Sequence, residues 1–222
     1  MKSQITSRRS RRIAVLVGVV VFLSGGFYQA SAEDIPFAPQ KNTTSPGTLK
    51  NMIAVYDEEM NMFSRYMAYA ERADKERYKG VGSLYRATAF AEAIHAGNHL
   101  AAIKNLGGDP EIQIHSFRVG STIENLDDSV VVEKSERFKL YPEYIKTAQA
   151  ENIMGPVQTL QYAKKSDSRH VILFRSARRH KNEWKEKRTF YVCNTCGYTD
   201  LKLPGRNCPV CGEETRTFEV IK

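Results

Sequence analysis

Residues 92–95 read EAIH and residues 167–170 read DSRH, so in each stretch an acid precedes a histidine by three positions. Residues three apart lie on the same face of an α-helix, which places a carboxylate and an imidazole side by side. Both stretches lie inside long segments of helical composition. The pattern therefore predicts two helices that each carry a pair of metal ligands on one face, Glu92 with His95 and Asp167 with His170.

Two further segments carry acids that match these pairs. Glu59 lies in a segment rich in Met, Ala, Glu and Tyr that contains no proline or glycine. Glu133 and Glu136 form an E-x-x-E pair in a later segment. Glu59 precedes Glu92 by 33 residues and Glu136 precedes Asp167 by 31. This spacing predicts two similar helical hairpins that converge on one centre, with Glu133 as an additional ligand.

The four segments predict a mainly α protein with a ferritin-like four-helix bundle. The predicted helices cover residues 49–77, 83–106, 127–151 and 156–187. Short loops at Gly80–Gly82 and Asn152–Gly155 join neighbours within each hairpin, and residues 109–126 form one long crossover, as this architecture requires. Pro142 lies inside the third segment and predicts a kink there.

Five carboxylates and two histidines on the inner faces of a bundle need a compensating partner, because unpaired buried charges are costly. Metal ions are the natural partner, and carboxylate with imidazole suits iron or manganese. His99 lies four residues after His95 and is a further candidate, although the sequence favours a supporting or core role for it.

All four cysteines lie near the C-terminus, as Cys193-Asn-Thr-Cys196 and Cys208-Pro-Val-Cys211. Two C-x2-C pairs predict two tight turns, or knuckles, whose four thiolates complete a tetrahedral metal site. Gly197 and Gly212 follow the second cysteine of each pair and allow the backbone to turn there. The spacing does not separate iron from zinc, and two disulfides are the remaining alternative.

The net charge of +8 is concentrated in the N-terminal segment, because residues 1–32 contribute +5 and no acid. The remainder, 8 − 5 = +3, does not favour a nucleic-acid partner. An arginine-rich start, a 15-residue apolar stretch and Ala30-Ser31-Ala32 predict a signal peptide, or alternatively an uncleaved anchor. The arginine pair Arg11-Arg12 also resembles a twin-arginine signal. We therefore expect an exported protein, either periplasmic or anchored in the membrane and facing the periplasm.

These features divide the chain into four parts. Residues 1–32 are the signal peptide or anchor, 33–47 a linker, 48–187 the bundle and 188–222 the four-cysteine domain. The order of these motifs resembles that of rubrerythrins over roughly residues 48–222. The resemblance implies a non-haem di-iron bundle fused to a rubredoxin-like domain that holds one iron, with zinc as the alternative metal.

The resemblance assigns roles to single residues. It implies that Glu59, Glu92, His95, Glu133, Glu136, Asp167 and His170 are metal ligands. It also implies that Tyr66 and Tyr141 orient ligand carboxylates, and that Glu136 and His95 exchange at one iron on reduction. Tyr141 lies five residues after Glu136, about 140° away on a regular helix, so we expect a π-helical turn between them. The family has glutamate at the position of Asp167, whose shorter side chain puts metal bridging in question.

The implied activity is reduction of hydrogen peroxide to water in oxidative stress defence. The implied partners are an external electron donor, either a protein or a reductase, and a second copy of the chain in a homodimer. Two rivals use the same residues differently. One is a ferroxidase or oxygen-reducing di-iron protein, and the other is a non-catalytic protein in which a zinc ribbon docks a partner.

Overall fold

The computed structural model describes residues 46–222. Its first hairpin pairs α1 (Pro46–Lys75) with α2 (Lys79–Asn105), which pack along their lengths. The predicted signal peptide or anchor, residues 1–32, and nearly all of the linker, residues 33–47, lie outside this range. Within residues 46–222, no helix combines the length and apolar composition that a membrane span needs.

The second hairpin begins with α3 (Thr122–Ser135), continues through a π-helical turn (Glu136–Leu140) into α4 (Tyr141–Ala150), and returns as α5 (Met154–Arg179). With α1 and α2 it forms the predicted ferritin-like four-helix bundle, so the fold class is confirmed. The crossover before α3 lies along α1, where Asp57 Oδ1 accepts the Gln113 amide at 2.7 Å and Asn61 Oδ1 accepts the His115 amide at 2.7 Å.

The predicted start of the third helix at Asp127 was five residues too late. The helix begins at Thr122 because Ser121 and Glu124 form a capping box. The Ser121 hydroxyl accepts the Glu124 amide at 3.3 Å, and Glu124 accepts the Ser121 amide at 2.8 Å. The signal was local, since Ser121-Thr-Ile-Glu124 is readable in the sequence.

The predicted end of the fourth helix at Lys187 was eight residues too late. The helix ends at Arg179 and a 3-10 turn (Lys181–Trp184) follows. Trp184 is buried and stacks on Phe190 with ring centroids 6.2 Å apart. The helix therefore ends shortly before the point where this indole packs against the start of the next domain.

The C-terminal domain is a small antiparallel sheet with the two knuckles at its ends. Its strands are β1 (Phe190–Cys193), β2 (Thr199–Asp200) and β3 (Phe218–Ile221), with β1 in the middle. Tyr191 lies opposite Asp200 on one side and Val220 on the other. Strand β1 also packs on α2, and β2 packs on α5, so the domain lies against the bundle.

Two apolar clusters fill the bundle and leave a gap between them. One contains Tyr66 of α1, Tyr85 of α2 and Phe174 of α5. The other contains Val55 of α1, Ile103 of α2 and Leu160 of α5. On each of these helices the predicted ligands fall between the two clusters. The fold therefore encloses the polar site in a layer between two apolar ones.

Candidate metal centres

Six of the seven predicted carboxylate and histidine ligands converge in this gap. They form two groups whose ligand atoms lie within 4.8 Å of one another. The first group is Glu92, Glu133, Asp167 and His170, and the second is Glu59, Glu92 and His95. All six side chains are buried, with at most 3% of any residue exposed. This geometry can hold two cations close together.

Two carboxylates lie between the two histidines. Glu92 Oε2 is 2.8 Å from His95 Nδ1, and Glu92 Oε1 is 3.4 Å from His170 Nδ1. Asp167 Oδ1 is 3.8 Å from His95 Nδ1 and 3.7 Å from His170 Nδ1. The shorter side chain of Asp167 thus still reaches the space between both imidazoles. Its role as a bridge remains a prediction, now supported by its position.

Each of the two outer carboxylates accepts a hydrogen bond from a buried tyrosine. Tyr66 Oη donates to Glu133 Oε1 at 2.8 Å, and Tyr141 Oη donates to Glu59 Oε1 at 2.6 Å. Burial, and after it the charge of neighbouring carboxylates, raises the pKa of both phenols well above the usual value. Both tyrosines therefore stay protonated and fix the orientation of the carboxylates they touch.

The expected π-helical turn is confirmed at Glu136–Leu140, directly before Tyr141. The extra residue in this turn rotates the following helix and brings the Tyr141 phenol to Glu59, which regular α-helical geometry would not do. The irregularity lies before Pro142 rather than at it. The proline is the second residue of α4, which follows the π-helical turn directly.

Glu136 is the one predicted ligand of the bundle that falls outside both groups. It is 7% exposed, and burial together with the charges of Glu59 and Asp167 raises its pKa well above the usual value. Glu136 therefore lies next to the cluster. The structure places His95, rather than Glu136, among the converging ligand atoms.

Several buried ligand atoms lack a hydrogen-bond partner among residues 46–222. They are Glu92 Oε1, Glu133 Oε2, Glu136 Oε1, both Asp167 carboxylate oxygens and His170 Nδ1. Buried polar atoms are rarely unpaired, because losing water without a replacement partner costs free energy. Half of the twelve unpaired buried side-chain atoms among residues 46–222 thus belong to the predicted ligands, and these six are oxygens or an imidazole nitrogen. This donor set fits two iron ions.

The pKa shifts of the clustered carboxylates also favour the binding of cations. Burial raises the pKa of Glu133 to about 7, and burial followed by neighbouring carboxylates raises the pKa of Asp167 well above the usual value. Burial also opposes the charge of Glu59, but His95 and His99 lower the pKa of that carboxyl. Ionised carboxylates this close repel one another, and bound cations would offset the repulsion.

The four cysteines converge in the C-terminal domain, with all four sulfurs within 4.8 Å of one another. The Sγ atoms of Cys193 and Cys211 are 3.6 Å apart, and those of Cys196 and Cys208 are 3.5 Å apart. A disulfide is about 2.0 Å long, so all four thiols are free. Four thiolates about 2.3 Å from one ion lie roughly 3.8 Å apart, which matches the observed spacing.

Several supporting residues were not found from the sequence. Ser166 Oγ donates to the Cys196 carbonyl, Thr199 Oγ1 lies 3.4 Å from His170 Nε2, and Thr159 Oγ1 lies 3.1 Å from His99 Nδ1. His99 itself is buried, with Nε2 3.6 Å from Glu59 Oε1, in keeping with the supporting role favoured for it. Single hydroxyl residues in long helices carry no periodic signal that would have identified them.

Comparison with known proteins adds to this geometry. Residues 51–178, more than half of the chain, match the rubrerythrin family. The chain belongs to the rubrerythrin family. Rubrerythrin-2 of Clostridium acetobutylicum is 31% identical over 172 residues, which cover 76% of this chain and 93% of that protein. Nigerythrin of Nitratidesulfovibrio vulgaris is 26% identical over 191 residues, covering 85% of this chain and 93% of that protein.

Solved structures agree with this assignment. Nigerythrin in its fully reduced, all-ferrous state matches this rubrerythrin with a TM-score of 0.73 and 26% identity, over 86% of this chain and 94% of that chain. A bacterioferritin of Desulfovibrio desulfuricans, 16% identical, has a TM-score of 0.59 over 64% of this chain and 84% of that chain, which shows a common fold.

The family and the geometry together define two metal sites. The buried carboxylate–histidine cluster is the di-iron site of a rubrerythrin, and the four cysteines form a rubredoxin-like site suited to iron or zinc. The protein is therefore a di-iron oxidoreductase. Assignment of individual side chains as ligands remains a prediction that rests on their convergence.

Proposed function

We propose that this rubrerythrin reduces hydrogen peroxide to water and serves in oxidative stress defence. The reaction is H2O2 + 2 e− + 2 H+ → 2 H2O, in which the O–O bond breaks and each oxygen takes one electron and one proton. The carboxylate–histidine residues would hold two iron ions, which would supply the two electrons. The four cysteines would hold an iron able to return electrons singly, which favours iron over zinc there.

The main support for this proposal is a direct hydrogen bond between the two predicted metal sites. The carbonyl oxygen of Cys196, a predicted ligand of one site, lies 3.1 Å from Nε2 of His95, a predicted ligand of the other. A peroxidase needs a steady supply of electrons to its di-iron site, and this contact gives a short covalent and hydrogen-bonded route between the centres. A ferroxidase takes its electrons from its substrate iron and needs no such route.

The protein side chains provide orientation, protons and exclusion of water. Tyr66 and Tyr141 each hold a phenolic proton within the site, on the oxygen that donates to Glu133 or Glu59. The two apolar clusters close the site above and below.

Electrons enter from an external donor, a protein or a reductase, at the four-cysteine site. Cys193, Cys196 and Cys208 are buried, whereas Cys211 is partly exposed and offers the entry side. A homodimer remains part of the proposal on the ground of family resemblance. The resemblance implies that the cysteine site of one chain serves the di-iron site of the other, and within one chain the same two sites also lie in contact.

Substitution Glu92→Ala tests the proposed function. Glu92 is the carboxylate that both groups share, so its loss should reduce peroxide consumption by at least about 100-fold, beyond the loss typical of supporting residues. The ferric-thiolate absorption of the four-cysteine site should remain, because that site keeps all its ligands. The measurement is peroxide consumption by anaerobically purified protein, together with metal content and the visible spectrum.

Glu71→Ala is the matched control, since Glu71 is an exposed carboxylate on α1 whose side chain is 75% exposed. It should leave consumption unchanged. Zinc as the only metal, with no red ferric-thiolate absorption, would contradict the redox proposal. Reaction with ferrous iron and oxygen but not with peroxide would replace the peroxidase proposal by a ferroxidase one.

We propose further that the protein is exported to the periplasm or anchored facing it. The support is the basic and apolar segment in residues 1–32, which ends in Ala30-Ser31-Ala32. Cell fractionation with N-terminal sequencing checks this, and a mature chain that starts at Glu33 is the expected result. A chain found in the cytoplasm with its N-terminal segment intact would contradict it.

A further inference from the structure

The first knuckle of the cysteine site, Cys193–Gly197, packs against the side of His95 that faces away from the di-iron site. The Cys196 carbonyl oxygen accepts hydrogen bonds from His95 Nε2 at 3.1 Å and from Ser166 Oγ at 2.7 Å. The Gly197 backbone is so close that a Cβ built on it would lie 2.4 Å from His95 Nε2. The fit leaves no room for a side chain at this position.

The second histidine is supported by the same short segment. His170 Nε2 is 3.4 Å from Thr199 Oγ1, and the Thr199 hydroxyl donates to the Gly197 carbonyl at 2.9 Å. Since the hydroxyl proton is directed to Gly197, the Thr199 oxygen is left to accept from His170. Residues 193–199 therefore receive the outer N–H of both histidines.

This arrangement determines which nitrogen of each ring faces the metals. A carbonyl oxygen only accepts, so His95 must carry a proton on Nε2, and a metal ion would bind this ring through Nδ1. The Nδ1 atoms are the ones that point to Glu92. Outer hydrogen bonds of this kind fix both the tautomer and the orientation of a ligand histidine.

Further contacts keep the segment on the bundle. Asn98 Nδ2 of α2 donates to the Thr195 carbonyl at 2.9 Å, and Arg169 of α5 donates to Asp200 Oδ1 at 2.7 Å. The segment is tied to the cysteine site through Cys193 and Cys196 themselves. A metal held by those two thiolates thus fixes the position of the carbonyl that His95 uses.

We propose that residues 193–199 are the positioning element for both histidines of the di-iron site, so that metal binding at the four-cysteine site raises the affinity of the carboxylate–histidine site. The coupling is reciprocal by thermodynamic necessity. It concerns metal binding and goes beyond the proposed peroxidase function, because it holds whichever substrate the di-iron site uses.

The chain contains its own control for this proposal. Gly212 follows the second C-x2-C pair as Gly197 follows the first, with φ +84° against +74°. In both knuckles the glycine amide donates to the carbonyl of the first cysteine, at 2.9 Å for Gly197 and 3.0 Å for Gly212. A Cβ on Gly212 would meet nothing within 4 Å. Alanine at either position therefore brings the same backbone strain, and only one position touches a histidine.

The test compares Gly197→Ala with Gly212→Ala in the full chain. The four-cysteine site is filled with one equivalent of Zn2+, which thiolates bind in preference to carboxylates, and Co2+ binding to the second site is then titrated. Gly197→Ala should weaken Co2+ binding by about 10- to 100-fold, the loss typical of removing an outer hydrogen bond from a ligand histidine. Gly212→Ala should bind Co2+ as the parent chain does.

Two further measurements distinguish positioning from a general structural effect. In imidazole 15N spectra of the protein with Zn2+ in both sites, the Nε2 proton of His95 should be protected from solvent exchange in the parent chain and in Gly212→Ala, and should exchange faster in Gly197→Ala. Cys211→Ser, in which the second knuckle no longer completes the thiolate site, is titrated with Co2+ alone, because unbound Zn2+ would compete for the carboxylate–histidine site. Its Co2+ affinity at that site should be about 10-fold weaker than in the zinc-filled parent chain. This arm remains decisive if Gly197→Ala does not fold.

Equal weakening in the two glycine variants would overturn the proposal. An unchanged Co2+ affinity in Cys211→Ser would overturn it as well, since the two sites would then bind metal independently. Neither result bears on peroxide consumption, so failure here and failure of the proposed function remain distinguishable.

Discussion

The first knuckle, Cys193–Gly197, and the second, Cys208–Gly212, share the pattern C-x2-C-G and the same internal hydrogen bonds. Their surroundings differ. The first is buried against α2 and α5, where its carbonyls accept from His95, Ser166 and Asn98. The second faces outward, and the Gly212 carbonyl accepts from the exposed Asn207 at 2.7 Å. The local sequence thus predicts two equivalent knuckles of one metal site. Tertiary packing adds contacts with the bundle to the first knuckle only.

The largest expected effect, loss of metal affinity at the thiolate site, should be the same in both knuckles. Cys196→Ser in the first knuckle and Cys208→Ser in the second should each lower metal affinity at the thiolate site on the order of 100-fold or more, because about 10–16 kcal/mol of binding is shared by four thiolates. Metal content and the ferric-thiolate spectrum check this. A variant that keeps parental metal affinity would contradict the assignment of that cysteine as a ligand.

A smaller effect should separate the two knuckles. Arg169→Ala breaks the 2.7 Å ion pair with Asp200 beside the first knuckle. The side chains of Arg169 and Asp200 are only 30% and 17% exposed, so the loss should lower the free energy of unfolding by about 1 kcal/mol. Arg216→Ala breaks the 2.6 Å pair with Glu214 beside the second knuckle, where exposure is 83% and 48%, and should cost less than about 0.5 kcal/mol. Urea unfolding measures both, and equal costs would contradict the difference in surroundings.

The smallest effect is a dependence on pH at the first knuckle. Burial opposes the charge of Asp200, but hydrogen bonds from Arg169, Tyr198 and the Leu201 amide lower the pKa of Asp200 below its usual value. Its contribution is therefore fully present above the unfolded-state pKa of about 4 and is lost as pH falls through the lower, folded-state value. Hydrogen exchange of the β2 amides should speed up over that acidic range.

In Asp200→Asn the same amides should exchange without this dependence on pH. A parent chain whose β2 exchange does not accelerate below pH about 4, after correction for the intrinsic rate, would show that the ion pair does not hold the first knuckle in place.

The sequence was sufficient where the signal is local and repeated. The spacing of Glu92 to His95 and of Asp167 to His170 follows the helical period, so both pairs converge as predicted. The π-helical turn before Tyr141 was also accessible, because the distance from Glu136 did not fit a regular helix. The capping box at Ser121 was equally local, although the predicted helix start missed it.

The rest depends on contacts between distant parts of the chain. The hydrogen bond from Ser166 to Cys196 spans 30 residues, and that from His95 to Cys196 spans 101. No periodicity records such pairs. The position of Asp167 between the two imidazoles likewise follows from the packing of α5 and not from its own motif.

The most direct test of the account is a crystal structure of the iron-loaded protein with anomalous data at the iron absorption edge. The account predicts two iron ions between Glu92 and Asp167 and one among the four sulfurs. It also predicts that the Cys196 carbonyl accepts the hydrogen bond of His95 Nε2. A carboxylate site without iron, or a His95 whose Nε2 has no contact with a Cys196 carbonyl, would contradict it.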